Sequence, residues 1–281
     1  MFLGSLAGGW LAATRLRAAS IPKIGVQLYT VRTELEKDFE GTLARIAQIG
    51  YKEVEFAGYF NHTPAQVRAV LAKNGLTSPS AHIDYASLAP DKLPAAIDAA
   101  RTIGHKFLVN PWLDETMRKQ PNVWKTVAET YNRAGALCRK AGIQFAYHNH
   151  NFEFVAVDGR LPYDLLLESC DPRLVQMEMD LCWITAAGRD PLEYFRKYPG
   201  RFSMVHVKGL AKVPATGAAT PIDKVLPDVV DVGHGDVIDW KKIFAQAKQA
   251  GIKHYFVEHD VPKAPFDSLK NSYDYLKALQ F

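Results

Sequence analysis

The chain has few cysteines and no cluster of basic residues. Its three cysteines, Cys138, Cys170 and Cys182, are odd in number and lack CxxC spacing. This favours core packing over a disulfide framework or a thiol metal motif. The formal charge is only +4 over 281 residues, and the Lys and Arg residues are scattered. Nucleic acid is therefore not the predicted partner.

The amino terminus has no acidic residue before Glu34 and no long hydrophobic run. Its apolar part is too short to span a membrane, so no membrane partner is predicted. Small residues around Ala18-Ala19 resemble a signal cleavage site, and Phe2-Leu3-Gly4 resembles the residues that follow the twin arginines of a Tat signal. We assign residues 1–20 to a signal-like leader and predict a periplasmic protein. If these residues are a disordered or loosely helical extension instead, the predicted location is cytoplasmic.

From residue 21 onward, short apolar runs alternate with amphipathic helical stretches. Eight such strand–helix units indicate a parallel sheet, and eight is the number that closes a TIM barrel. A doubly wound sheet would need a Gly-rich phosphate loop after its first strand, where this chain has Tyr29-Thr30-Val31-Arg32. We therefore predict an α/β fold, a single (β/α)8 TIM barrel over residues 21–281. The predicted strands are Ile24–Tyr29, Glu53–Phe56, Ser78–Ile83, Phe107–Val109, Ile143–Tyr147, Val175–Met179, Phe202–Val207 and Tyr255–Val257.

One segment breaks the alternation. Residues 210–232 carry Pro214, Gly217, Pro221 and Pro227 with little periodicity, after the seventh predicted strand. In a barrel, such a loop lies at the carboxyl ends of the strands, where a mobile lid over the site is one interpretation. A passive insertion is the other.

Four of the predicted strands end in a potential metal ligand: His148, Asp180, His206 and Glu258. In a TIM barrel the carboxyl ends of the strands meet at one mouth, so these side chains are expected to converge. Two imidazoles with two carboxylates suit Mn²⁺, Fe²⁺, Co²⁺ or Zn²⁺ better than Mg²⁺ or Ca²⁺, although Mg²⁺ stays possible. The sequence therefore predicts one divalent metal ion as cofactor.

Two polar residues follow the fifth strand closely. His150 lies two residues after His148, so it is a candidate ligand, an orienting group or a general base. We favour a base or a substrate contact. Glu153 is either a supporting carboxylate near the site or a residue of a surface loop.

Further residues end other strands at the same mouth. His82 ends the third strand and Trp112 follows the fourth, and a polar donor beside an indole suits a sugar ring, although Trp112 could equally be ordinary packing. Lys208 lies just beyond His206, where a lysine can bind an oxyanion or a carboxylate, or simply be solvated. Glu55, in the second strand, faces either the barrel interior or the mouth.

The chain from about Ile24 to Leu279 resembles the xylose isomerase-like TIM barrels, the sugar phosphate isomerase/epimerase superfamily that also includes endonuclease IV-type enzymes. The resemblance implies a metal-dependent enzyme acting on a small carbohydrate, without specifying the substrate. It is carried by residues 25–30, 147–154, 179–180, 205–208 and 257–258.

The resemblance also supplies an expected ligand set. The superfamily's ketose epimerases hold their metal with Glu, Asp, His and Glu on strands five to eight and use the two glutamates as bases on opposite faces of the substrate. Asp180, His206 and Glu258 match the last three, but His148 occupies the first. A substrate-contacting histidine three residues after the Asp is replaced by Trp183. Both departures favour one-base chemistry, with His150 and Glu258 as the acid–base groups.

We therefore expect a divalent-metal-dependent sugar isomerase or epimerase that removes a proton next to a carbonyl or hydroxyl carbon. A keto-sugar lyase or dehydratase acting by β-elimination is the first alternative, and a non-catalytic sugar-binding barrel is the second. An endonuclease IV-like repair enzyme fits less well because that chemistry needs more metal ligands than the four predicted here. The oligomeric state is not predicted.

Overall fold

The computed structural model describes residues 19–281, so the predicted leader lies almost wholly outside the described residues. Eight parallel strands form a closed barrel in the order β1-β10-β7-β6-β5-β4-β3-β2. This confirms the predicted (β/α)8 fold. The barrel strands are β1 Gly25–Gln27, β2 Glu53–Phe56, β3 Thr77–His82, β4 Phe107–Asn110, β5 Gln144–His148, β6 Val175–Asp180, β7 Phe202–Val207 and β10 His254–Val257.

Helices surround the barrel, and their ends follow local sequence signals. Thr63 and Gln66 form a capping box at the start of α3, and Asp38 caps α2 by accepting from the Gly41 N–H. None of the helices in residues 19–281 has the length and apolar character needed to cross a bilayer. The helices are α1 Arg32–Lys37, α2 Phe39–Ile49, α3 Pro64–Lys73, α4 Leu93–Ile103, α5 Glu115–Arg118, α6 Val123–Lys140, α7 Pro162–Ser169, α8 Leu181–Ala186, α9 Pro191–Lys197, α10 Ile222–Val225, α11 Trp240–Ala245, α12 Ala247–Ala250 and α13 Pro265–Ala278.

The first strand is shorter than predicted. It ends at Gln27, and Leu28–Val31 forms a 3₁₀ helix instead of continuing the strand. The Gln27 side-chain oxygen accepts a hydrogen bond from the Tyr29 N–H at 3.0 Å, which turns the chain out of the sheet. The predicted strands five and six are each one residue longer at their carboxyl ends, so His148 and Asp180 are themselves strand residues.

The interior of the barrel is layered. Because side chains alternate between the two faces of a strand, every second residue points into the barrel. A small apolar cluster fills part of this interior and is separate from the main core between sheet and helices; it consists of Phe107, Val109, Ala146, Met204 and Phe256. His148, His206 and Glu258 each lie two positions beyond a residue of this cluster on or at the end of the same strand, namely Ala146, Met204 and Phe256, toward the mouth. The polar site therefore rests on an apolar plug.

The segment after the seventh barrel strand, predicted as a long loop, contains short elements of secondary structure. It contains a two-stranded antiparallel ribbon, β8 Gly209–Leu210 with β9 Val229–Val230, and the short helix α10. The Asn151 side-chain amide donates to the Thr220 carbonyl at 2.6 Å, which fastens this segment to the loop after β5. Whether it opens as a lid stays a prediction.

Burial of a neutral histidine gives the fold a pH dependence that can be measured. The His105 Nδ1–H donates to the Ser78 carbonyl at 2.8 Å, and Nε2 lies 3.1 Å from the Tyr59 hydroxyl, so the neutral ring is satisfied on both sides. Burial lowers the pKa of His105 to about 4, against about 6.5 for an unfolded chain. The unfolded state therefore binds a proton more readily, and this stability is complete above about pH 6.5 and is lost as the pH falls toward 4.

We expect the free energy of unfolding of the wild type to fall by about 2–3 kcal/mol more than that of a His105→Gln variant between pH 7 and pH 4.5. Urea unfolding at several pH values measures both slopes. Parallel pH profiles for the two proteins would contradict this account.

Candidate metal centre and active site

The four predicted ligands lie at the carboxyl ends of β5, β6, β7 and β10; the ligand atoms of Asp180, His206 and Glu258 all lie within 4.8 Å of one another, whereas His148 groups in this way with His82, Glu178 and His206. We call His148, Asp180, His206 and Glu258 the outer set. The His206 Nδ1 lies 3.0 Å from Glu258 Oε2 and 3.9 Å from Asp180 Oδ2, and the His148 Nε2 lies 3.9 Å from the same Asp180 oxygen. All four side chains are buried. Adjacent strands in register bring them together: β6 pairs Asp180 with His206 of β7.

A buried lysine shares the carboxylates of the outer set. The Lys208 Nζ lies 2.8 Å from Glu258 Oε2, 3.2 Å from Asp180 Oδ2 and 2.9 Å from Asp260 Oδ2. Burial by itself lowers the pKa of Lys208, but these three carboxylates raise it well above its usual value. Lys208 thus balances part of the negative charge that Asp180, Glu258 and Asp260 bring to the mouth.

A second polar layer lies directly beneath. We call Glu55, Glu178 and His82 the inner layer. The His82 Nε2 lies 2.9 Å from Glu178 Oε2 and 3.2 Å from Glu55 Oε2, and the two carboxylates are fully buried. Burial opposes ionisation of Glu55, but His82 and His206 hold its pKa well below the usual range. Burial likewise lowers the pKa of His82, and the two carboxylates reverse this and raise it to about 9.

His206 connects the two layers. Its Nε2 lies 2.7 Å from Glu55 Oε2 in the inner layer, while its Nδ1 faces Glu258 in the outer set. Burial alone would lower the pKa of His206, but Glu178 and Glu258 raise it well above its usual value. Without a metal the ring is thus a cation held between carboxylates.

The outer set fits a divalent metal ion. Nitrogen and oxygen ligands about 2.0–2.2 Å from such an ion lie about 3.0–3.5 Å from one another, close to the 3.0–3.9 Å separations here. A metal at His206 Nδ1 would take the place of the proton that faces Glu258. The mix of imidazole and carboxylate ligands suits Mn²⁺, Fe²⁺, Co²⁺ or Zn²⁺. Asp180, His206 and Glu258, with His148 beside them, could therefore hold a metal ion.

His150 lies at the edge of this centre in an aromatic surround. Its ring centroid is 5.0 Å from that of Trp112 and 5.5 Å from those of Phe152 and Trp183, and 5.1 Å from that of His148. Its Nδ1 is buried and has no hydrogen-bond partner among residues 19–281. Burial first, and the nearby Lys208 charge second, lower the pKa of His150 well below its usual range. The ring is therefore neutral near pH 7 and able to accept a proton.

The remaining predicted contacts differ in accessibility. Trp112 is partly exposed and borders a cleft of about 630 Å³ between the loops after β4, β5 and β7. Trp183 is buried, and its backbone N–H donates to Asp180 Oδ1 at 2.8 Å.

Glu153 has no exposed surface. Its carboxylate accepts a hydrogen bond from the Tyr147 hydroxyl and another, at 2.9 Å, from the His150 backbone N–H. Burial raises the pKa of Glu153 to about 7. Substrate contact by Trp183, Glu153 and the buried Lys208 stays a prediction. In this structure they contact Asp180, His150 and Glu258, respectively.

Sequence reasoning missed two site residues and left a third open. Glu178 was not assigned, although it precedes Asp180 by two positions and must share its face of β6. Asp260 likewise follows Glu258 by two positions. Glu55 was placed in either the interior or the mouth, and its 2.7 Å contact to His206, 151 residues away in the chain, decides for the interior.

Comparison with known proteins identifies the family. The family model described as xylose isomerase-like TIM barrel matches residues 43–279. The chain belongs to this family. Within the family, a sugar phosphate isomerase/epimerase from Parabacteroides distasonis has a TM-score of 0.76 at 26% identity, over 95% of this chain and 98% of that one. A solved structure of an IolI protein with bound zinc shares the fold at a TM-score of 0.66 and 14% identity, over 90% of this chain and 95% of that one.

The curated relatives carry a different name. An inosose dehydratase from Geobacillus thermodenitrificans is 27% identical over 163 residues, which is 56% of this chain and 53% of that protein. The matches cover between 28% and 64% of the length of these curated relatives.

Removing one ligand tests the centre. Protein purified without chelator is expected to contain about one Mn, Fe, Co or Zn per chain, and Asp180→Ala is expected to lose it because one of two carboxylate ligands is gone. Elemental analysis measures the content. Asp98→Ala, on the exposed face of α4, is the control and should retain the metal. A wild type that takes up no metal on titration would leave a sugar-binding barrel as the better hypothesis.

Proposed function

We propose that this protein is a metal-dependent lyase that removes water from a keto-polyol, either a keto-sugar or a ketone of a cyclic polyol. The observation that carries the proposal is that the mouth presents His150 as a proton acceptor, unpartnered within residues 19–281, beside carboxylates that are paired with cations. His150 is a neutral imidazole with a free buried nitrogen, whereas the carboxylates around it are tied to cations.

Both carboxylates of the outer set have a cationic partner. His148 stands where the ketose epimerases place a glutamate, and its Nδ1 lies 3.3 Å from Glu178 Oε2 in the inner layer. Glu258 is close to both Lys208 and His206, and although burial opposes its ionisation, these two cations hold the pKa of Glu258 well below its usual range. A carboxylate held between two cations is not free to approach a substrate proton, so proton transfer from both faces of a substrate is disfavoured.

The residues of the chain can carry out an elimination in two proton transfers. When bound, a divalent metal polarises the substrate carbonyl and acidifies the neighbouring C–H. His150 accepts that proton, and the C–H electron pair becomes part of a C=C bond as the C–O bond of the β-hydroxyl breaks. The imidazolium of His150 then returns the proton to the leaving hydroxyl, which departs as water. Trp112, Phe152 and Trp183 pack around the His150 ring and hold it in position for these steps.

The names of the curated relatives support this proposal. The matched proteins are named inosose dehydratase, a name for loss of water from a keto-cyclitol. The matched portions reach 35% identity over 89 residues and 27% over 163 residues.

A sugar isomerase or epimerase is the second candidate. It is favoured by the 26% identical Parabacteroides distasonis structure, which is named for that activity and aligns over nearly the whole chain. In that case Glu258 would act as the second proton-transfer group across from His150, with the metal binding the substrate oxygens.

The two candidates give different products in deuterated water. Incubating the metal-loaded protein with keto-cyclitols, keto-sugars and ketoses is expected to yield an unsaturated or dicarbonyl product with loss of water, detected by mass and ultraviolet absorbance. Deuterium incorporation without loss of water would support the isomerase or epimerase instead. A protein that binds metal but does neither would reject both.

Replacing His150 separates proton transfer from metal binding. We expect His150→Gln to lower kcat by about 10²–10⁴-fold because a positioned base contributes that much, with metal content unchanged. The matched control is His62→Gln, since His62 lies on the loop after β2, where its side chain hydrogen-bonds to the Phe60 carbonyl and stacks on Phe39. Equal activity in His150→Gln and wild type would remove His150 from the mechanism.

A further inference from the structure

The inner layer places two fully buried carboxylates beneath the metal centre. Glu55 and Glu178 have no exposed surface, and burying a charge is costly unless it is paired and hydrogen-bonded. Neither residue belongs to the outer set, and neither takes part in the proton transfers described above. Their positions therefore need another explanation.

Each carboxylate lies against the inward nitrogen of one metal-ligand imidazole. Glu55 Oε2 is 2.7 Å from His206 Nε2, while the other nitrogen of that ring faces Glu258. Glu178 Oε2 is 3.3 Å from His148 Nδ1, a contact that does not have hydrogen-bond geometry in this structure, while the other nitrogen of that ring faces Asp180. Both rings thus span the two layers, with one nitrogen in each.

Glu55 is itself held in place by hydrogen bonds from two neighbouring side chains. Its Oε1 accepts from the Ser80 hydroxyl, and its Oε2 accepts from the Gln27 side-chain amide at 2.7 Å. The Gln27 oxygen in turn accepts from the Tyr29 N–H at 3.0 Å, where the chain leaves β1. His82 lies between Glu55 and Glu178 and balances part of their charge. Little freedom remains for Glu55 to follow His206 if the ring moves.

We propose that Glu55 and Glu178 are positioning residues that act through His206 and His148: each accepts the proton of the inward ring nitrogen and so directs the lone pair of the outward nitrogen to the metal. Metal-bound histidines commonly donate their second N–H to a carboxylate, which fixes ring orientation and raises ligand basicity. Here the fold supplies one buried carboxylate for each imidazole ligand. The inference rests on the metal centre of the proposed function but not on the reaction.

An ion in the inner layer is the competing arrangement. His82, His148, Glu178 and His206 could also surround a metal, since their ligand atoms lie within 4.8 Å of one another. Such an ion would use the inward nitrogens of His148 and His206 and leave their outward N–H groups against Asp180 and Glu258. The two arrangements therefore exclude each other unless a ring loses both protons.

The chain offers a closely matched pair of variants on β2. Glu55→Gln removes the carboxylate charge next to His206. Glu53→Gln removes an equally buried carboxylate two residues earlier, which lies 2.7 Å from His254 Nδ1 at the opposite end of the barrel. Both variants break a buried Glu–His pair, so a purely structural role predicts similar losses of stability and unchanged metal binding in both.

Co²⁺ affinity, measured by competition with a chromophoric chelator in the absence of substrate, distinguishes the roles. We expect Glu55→Gln to weaken Co²⁺ binding about 10–100-fold and to change the visible Co²⁺ spectrum, with Glu53→Gln like the wild type. Equal affinities in the two variants would overturn the inference while leaving the metal centre intact. A wild type that binds no Co²⁺ would overturn the metal centre as well.

Glu178→Gln provides a second test if Glu55→Gln does not fold, and the same weakening is expected because it removes the partner of His148. A crystal structure of the Co²⁺-loaded wild type then locates the ion by anomalous scattering. A peak between the outward nitrogens supports the positioning role, and a peak beside His82 and Glu178 overturns it.

Discussion

The site depends on one imidazole placed between two carboxylates. His206 contacts Glu55 below and Glu258 above, so its orientation is fixed from both sides in a fully buried position. A charge in a low-dielectric interior is stable only with such partners, and their attraction is stronger there than in water. Lys208, His82 and the remaining carboxylates then distribute the balancing charges around this ring.

The alternation of side chains along each strand explains how this arrangement arises from the fold. Two inward positions on one strand, such as Glu178 and Asp180 of β6, fall into successive layers of the barrel. Strand pairing sets how these layers are staggered: Asp180 is level with His206, whereas His148 is level with Glu178 and His206 is level with Phe256. In most TIM barrels these layers hold branched apolar side chains. Here only the deeper part is apolar.

The fold and the outer set could be predicted from the sequence because both depend on local pattern. Eight apolar runs indicate eight strands, and polar residues at their carboxyl ends indicate a site. The first strand was misjudged because Gln27 bonds to the Tyr29 N–H, a local contact that hydrophobicity does not reveal. The inner layer could not be assigned because contacts such as Glu55 with His206 depend on how the strands are staggered around the barrel. Glu178 is the exception, since its spacing of two residues from Asp180 already places both side chains on the same face of β6.

The apolar plug formed by Phe107, Val109, Ala146, Met204 and Phe256 lies beneath the outer set on β4, β5, β7 and β10. Glu55 and Glu178 have no exposed side-chain surface, whereas the His82 side chain between them is 11% exposed. His82 is therefore the member of the inner layer that can exchange protons with solvent directly. A molecule bound over this ring would slow that exchange for as long as it stays bound.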